Sequence, residues 1–184
     1  RSRGLPPGPR QNGYFGETDP HIDPRESQIA WGADHAIRMI EEGAASGRPF
    51  FVRWDPVEPH LPNIVPEPYA SMYPPETIKP WPSFPDSLEG KPYVQGLQRR
   101  RWGTDGWSWD KWAPVVARYM GDISLIDHQV GRILNKLDDL GLAERTLVIY
   151  TSDHGDFCGG HGMMDKHYAA YDDIVRVPLI MRLP

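Results

Sequence analysis

Apolar positions along this chain form two patterns: recurrences every three or four residues, and short continuous runs. Ile29, Ala33, Ala36, Ile37 and Ile40 mark one face of a helix. Asp23-Pro24-Arg25-Glu26 predicts where it starts, with Asp as N-cap, Pro at the first helical position and Glu closing a capping-box-like pair. Gly43 and Gly47 predict its end. A longer helix is predicted over residues 116–140, where Val116, Tyr119, Ile123, Ile126, Val130, Ile133, Leu137 and Leu140 share a face and Gly141 terminates it. Two continuous runs, residues 49–54 and 147–150, read as buried strands that break at Asp55-Pro56 and Asp153-His154-Gly155, and a last strand is predicted just after Pro178. Residues 1 to about 22 read as loop. From Pro56 to Pro92 prolines recur too often for a helix or a central strand. Helices alternating with buried strands predict an α/β fold, a three-layer α/β/α sandwich around a mostly parallel sheet.

Composition narrows this picture. The 184 residues suit one domain with a substantial core. A net charge of -5 argues against a nucleic-acid partner, which would want a basic face. The single cysteine, Cys158, excludes an internal disulfide framework and leaves the compartment open. No apolar run reaches membrane-spanning length. The 20 prolines and seven tryptophans predict long, ordered loops, and the indoles of Trp102, Trp107, Trp109 and Trp112 cluster beside Arg99-Arg100-Arg101.

The chemistry concentrates in residues 146–167, TLVIYTSDHGDFCGGHGMMDKH. Ligands of open α/β sheets sit outside the carboxyl ends of the strands. There Asp153 and His154 leave the apolar run side by side, as half a site for a divalent cation. Lys166, after a glycine-rich turn, can face an anionic group on that cation. Metal, ammonium and oxyanion together suggest ester hydrolysis at sulfur or phosphorus.

Four motifs, taken in order, resemble the formylglycine-dependent sulfatases of the alkaline phosphatase superfamily. They are the run from Phe50 into Pro59-His60-Leu61-Pro62; the helix with Tyr119, Asp127, Gly131 and Arg132; the strand and Gly-x-His-Gly loop of residues 146–162; and Lys166 followed by Arg176-Val177-Pro178-Leu179-Ile180. The resemblance covers most of the chain from about residue 24. It implies an alkaline phosphatase-like partial catalytic domain over residues 1–184, with a Pro/Trp-rich insertion at about 56–112. The family's Cys-x-Pro-x-Arg motif and its first metal-binding Asp pair have no counterpart here. The chain therefore reads as an internal to C-terminal piece whose formylglycine nucleophile is expected upstream, and which is inactive alone.

On this resemblance Asp153 and His154 are metal ligands, and the ion is Ca²⁺ by family default. Mg²⁺ is also compatible with oxygen ligands, and an imidazole favours Mn²⁺ or Zn²⁺. Lys166 and His60 bind the sulfate group and act in catalysis, Lys166 by stabilising charge and His60 on the bridging oxygen as general acid. The implied substrate is a sulfate ester, a small molecule or a carbohydrate. His154 stands where many sulfatases carry Asn; Asp-His is typical of the branch with phosphonate monoester hydrolases, so phosphonate monoester or phosphodiester hydrolysis is the alternative. A non-catalytic anion-binding remnant is the third reading. His161 reads as a holder of the glycine loop, His167 as a neighbour of the site, Asp156 and Asp165 as loop-fixing carboxylates, and Cys158 as a small buried residue. The arginine and indole cluster reads either as a sugar pocket or as a seal between loop and sheet, with the seal slightly favoured.

Overall fold

The computed structural model describes residues 17–183. Of the predicted loop over residues 1 to about 22, the first 16 residues lie outside the described ones, and Glu17–Asp19 forms a short strand, β1. A 3-10 turn at Pro24–Glu26 precedes helix α1, Gln28–Ala45. Asp23 caps the turn, accepting from Arg25 N, and Ser27 caps α1 by accepting from Ala30 N at 3.1 Å. The predicted start is thus split in two, because Pro24 tightens the first turn before the helix proper begins. Gly43 does not end α1; the left-handed Gly47 just beyond Ser46 does.

Residues 49–54, expected to be a buried strand, form no strand, and Phe51 is 88% exposed. A strand needs a partner to pair with, and no described strand pairs with this run. Conversely β2, Ile64–Pro66, forms inside the proline-rich segment and pairs in parallel with β1, Glu17 opposite Ile64 and Asp19 opposite Pro66. Proline is tolerated there because the ribbon is short and each strand is an edge. Two further helices complete the middle of the chain: α2, Tyr93–Trp102, which periodicity does not predict, and α3, Trp109–Asp139. The α3 helix begins earlier than expected, with Pro114 inside it, and ends before the left-handed Gly141.

The α1 and α3 helices pack face to face. Ile29 from α1 meets Leu125 and Ile126 from α3, and Trp54, Tyr69 and Val130 close the cluster. Complete burial of one such aliphatic side chain stabilises by about 1.5–3 kcal/mol. Of the predicted face, Ile123 and Leu140 are exposed. Gly121 brings α3 against the turn after β2, where a Cβ would lie 2.2 Å from Tyr69 O.

The chain ends in β3, Val148–Thr151, a short helix α4, Asp172–Val175, and β4, Leu179–Arg182. β3 and β4 pair antiparallel, Val148 opposite Arg182 and Thr151 opposite Leu179. The pairing within the described residues is therefore one parallel and one antiparallel ribbon. β3 is predicted as a buried strand, yet Ile149 is 53% exposed and its partner strand is exposed throughout. Sequence patterning reports the burial a strand is built for; no described element covers this ribbon.

Candidate functional site

The turn leaving β3 is drawn against α4. Gly155 N donates to Ile174 O at 2.8 Å, and a Cβ on Gly155 would lie 1.9 Å from Asp173 O, so only glycine fits. This contact aims Asp153 and His154 past the carboxyl end of β3. Asp153 is largely solvated, its side chain 85% exposed, and its Oδ2 lies 3.4 Å from His154 Nε2. His154 Nδ1 lies 2.7 Å from Gly155 O. A carbonyl only accepts, so Nδ1 carries the hydrogen, and in the neutral ring Nε2 presents a lone pair to the carboxylate. Two acceptors facing each other without a proton between them suit a cation. Among the described residues no cluster of three or more His, Cys, Asp or Glu accompanies them. These two donors fit a divalent ion and supply only part of its coordination.

His60 and Lys166 meet at the same place from 106 residues apart in sequence. Lys166 Nζ lies 2.7 Å from His60 Nε2, while His60 Nδ1 is 2.8 Å from Leu61 O. Again the carbonyl fixes the tautomer: Nδ1 donates, and Nε2 accepts from the ammonium. The His60 and His154 rings stand edge-on, 6.5 Å between centroids. The four residues expected at the site thus line one open surface: carboxylate, imidazole, imidazole, ammonium. This order offers two acceptors for a cation and, beside them, an ammonium for an anion.

Below this surface the loop is held by buried groups. Asp156 accepts from Cys158 N at 2.7 Å and Asp165 N at 3.3 Å, and burial pushes its carboxyl above the usual range. Burial also raises the Cys158 thiol, which suits the inert role expected of it. His167 Nε2 sits 3.1 Å from Asp165 Oδ2. His161 lies in the glycine turn, stacked on Tyr171 with its Nδ1 2.6 Å from Asp86 Oδ2.

The indoles pack rather than line a cleft. Trp112 is fully buried with Val115 and Met164, and Trp102, Trp107 and Trp109 close around it. Trp81 Nε1 donates to Cys158 O at 2.9 Å, and Trp109 Nε1 to Ile78 O at 2.7 Å. The proline-rich segment is thereby fastened to the glycine loop. Residues that sequence reasoning missed belong to this fastening, Asp86 and Gln98 above all. Asp122, a buried carboxyl on α3 beneath the His60 loop, was missed as well. Neither Asp122 oxygen has a hydrogen-bond partner among the described residues; burial, then the charge of Glu58, pushes its pKa up to about 7.

An α/β framework with a carboxylate, two imidazoles and an ammonium beyond the end of a strand is a candidate site for a cation beside an anion, and comparison with known proteins makes the class specific. The structure resembles that of phosphonate monoester hydrolase from Agrobacterium radiobacter, with a TM-score of 0.70 and 26% identity, covering 92% of this chain and 36% of that one. It likewise resembles the phosphonate monoester hydrolase of Silicibacter pomeroyi, with a TM-score of 0.71, 23% identity and coverage of 89% and 34%. The fold is thus the alkaline phosphatase-like α/β architecture expected. In sequence, the chain is 34% identical over 163 residues to iduronate 2-sulfatase from Mus musculus, covering 82% of this chain and 29% of the relative. The sulfatase family model matches residues 26–184, and the chain belongs to the sulfatase family. It spans about 30% of the length of the curated relatives it matches.

Proposed function

We propose that the protein acts as a sulfuric ester hydrolase on sulfate esters, carbohydrate sulfates among them. The observation that carries this reading is the 2.7 Å contact between Lys166 Nζ and His60 Nε2 beside the Asp153–His154 pair. Asp153 Oδ2 and His154 Nε2 would hold a divalent ion, and its chemistry would be to neutralise charge on the ester oxygens and on the nucleophile. The nucleophile would be the formylglycine that the family uses, which would supply a hydrated aldehyde. Ca²⁺ is the family default, and an imidazole donor also admits Mn²⁺.

The residues of this chain have separable roles. Lys166 donates to a non-bridging oxygen, and its charge counts for more in a water-poor site than in bulk water. His60, its Nδ1 pinned by Leu61 O, would present Nε2 to the bridging oxygen and, entering the step as imidazolium, give that oxygen the Nε2 proton and return to neutral imidazole, while Lys166 keeps its charge. The similarity to iduronate 2-sulfatase supports a sugar sulfate as substrate. The likeness to phosphonate monoester hydrolases, together with His154 beside Asp153, supports hydrolysis of phosphonate monoesters as the second reading. Domain organisation follows the same logic: residues 1–184 form part of a catalytic domain, with residues of about 56–112 inserted into it.

The test is kcat/KM of the complete protein on an aryl sulfate and on an aryl phosphonate monoester. A sulfate preference is expected. A phosphonate preference transfers the assignment to the second reading, and turnover of neither removes the enzyme assignment.

A further inference from the structure

Lys166 follows a turn with almost no regular structure, yet its place is defined. The grip comes from one neighbouring element. On and just after α2, Arg99, Thr104 and Gln98 reach the carbonyls of His161, Gly162 and Met164. Arg99 Nε donates to His161 O at 3.1 Å, Thr104 Oγ1 to Gly162 O at 3.4 Å and Gln98 Nε2 to Met164 O at 2.6 Å. Gln98 and Thr104 are almost completely buried, so these bonds are shielded from water. Met164 stands two residues before Lys166.

The turn also carries a side-chain lock. His161 has φ 52°, in the left-handed region that ordinary residues avoid, so its conformation needs support from its surroundings. Its ring is stacked on Tyr171, 3.9 Å between centroids and 19° from parallel. Nδ1 lies 2.6 Å from Asp86 Oδ2, and Nε2 is 3.5 Å from Asp173 Oδ2. Asp86 is itself held by Lys91 and by Leu88 N. Arg99 Nη2 donates to Asp86 O at 2.6 Å, so one guanidinium ties Asp86 and His161 together. Burial alone would raise the Asp86 carboxyl; Lys91, His161 and the Leu88 N–H outweigh it and hold the group well below the usual carboxylate range. A Cβ on Gly162 would lie 3.0 Å from Arg99 Nη2, so the turn and the guanidinium fit closely.

We propose that Asp86 and Gln98 are positioning residues: through His161 and the Met164 carbonyl, the proline- and tryptophan-rich segment sets where Lys166 stands. This rests on the assignment of Lys166 to the site. Lys166 is a long, flexible side chain, and only a fixed backbone keeps its ammonium at His60.

The experiment uses the complete protein and two readouts. The first needs no substrate: amide hydrogen exchange in the peptide covering 157–167, with α1 and α3 as internal references. Asp86→Ala is expected to speed exchange in that peptide at least tenfold and leave α1 and α3 unchanged. Asp86→Asn keeps an acceptor for His161 Nδ1–H and is expected to restore much of the protection. Gln98→Leu, close in volume, is expected to act like Asp86→Ala, and it decides the matter if Asp86→Ala fails to fold. Unchanged exchange overturns the proposal. The second readout is kinetic. Asp86→Ala is expected to lower kcat on the aryl sulfate at least tenfold with KM little changed, and to add less than twofold when Lys166 is already alanine. Equal losses in both backgrounds assign Asp86 to stability alone and overturn the proposal. If neither sulfate nor phosphonate is turned over, the functional reading fails while the exchange result still decides the positioning.

Discussion

Asp122 gives the sharpest test of the energetics. Its carboxyl is fully buried on α3, neither oxygen has a hydrogen-bond partner among the described residues, and Glu58 Oε2 is buried nearby in the same condition. Burial and the charge of Glu58 raise its pKa from 3.8 to about 7. Between those values the folded protein keeps a proton that the unfolded chain has released. Stability that is complete below the unfolded value is therefore lost as the pH rises toward about 7, and the curve is flat above it. The interval corresponds to about 4 kcal/mol, a ceiling, because pocket relaxation and entry of water return part of it. Asp122→Asn removes the titration at nearly constant volume. The buried amide costs about 1–3 kcal/mol at every pH for its own unmet bonds, so the informative quantity is the change with pH. Urea denaturation at pH 4 and pH 8 measures it. The variant is expected to gain between about 1 and 4 kcal/mol on the wild type over that interval. A difference independent of pH, or a relative loss at pH 8, would refute the burial argument.

Other outcomes follow from the site and its supports. Lys166→Ala in the complete protein is expected to cost about 10²–10³ in kcat, measured on an aryl sulfate, and a loss below about tenfold rejects its role. His60→Ala is expected to slow esters with poor leaving groups far more than activated aryl esters; equal slowing excludes proton donation to the leaving oxygen. Asp153→Asn is expected to weaken divalent-cation affinity at least about tenfold, read as metal retained per protein after dialysis, and undiminished retention removes Asp153 as a ligand. Gly155→Ala pushes a Cβ to 1.9 Å from Asp173 O, a backbone collision that no rotamer relieves. The expected cost is about 3 kcal/mol in denaturation, and a neutral effect would mean that the turn and α4 are not held together as described.

The long helices α1 and α3 were legible because their signal is local, whereas α2, with little apolar periodicity, was not. Ile29, Ala33 and Ile40 repeat at helical spacing, and so do Val116, Ile126 and Leu137, and all six are buried. Strand pairing was not legible, because it depends on a partner that a single run cannot specify. PFFVRW has a strand's composition and forms no ladder, whereas Glu17–Asp19, with two acids, and Ile64–Pro66, cut short by a proline, do pair. At the site, Asp153, His154 and Lys166 stood out as chemistry-bearing residues just beyond an apolar run, and His60 through the resemblance to the sulfatases; the fold sets the four side by side. Asp86 and Gln98 carried no such signal. Their bonds to His161 and Met164 link residues 75 and 66 apart in sequence, one of them through a backbone carbonyl, and no periodicity announces such a contact.

The β3–β4 ribbon has a practical consequence. Among the described residues each strand keeps one unpaired edge, and Ile149, Leu179, Ile180 and Met181 stand exposed on the ribbon. Open ladders of this kind accept further strands from any chain that can supply them. A concentrated preparation of this polypeptide by itself should accordingly thicken into oligomers through the ribbon, and a charge placed at Ile180 should keep it dispersed without disturbing the α1–α3 core.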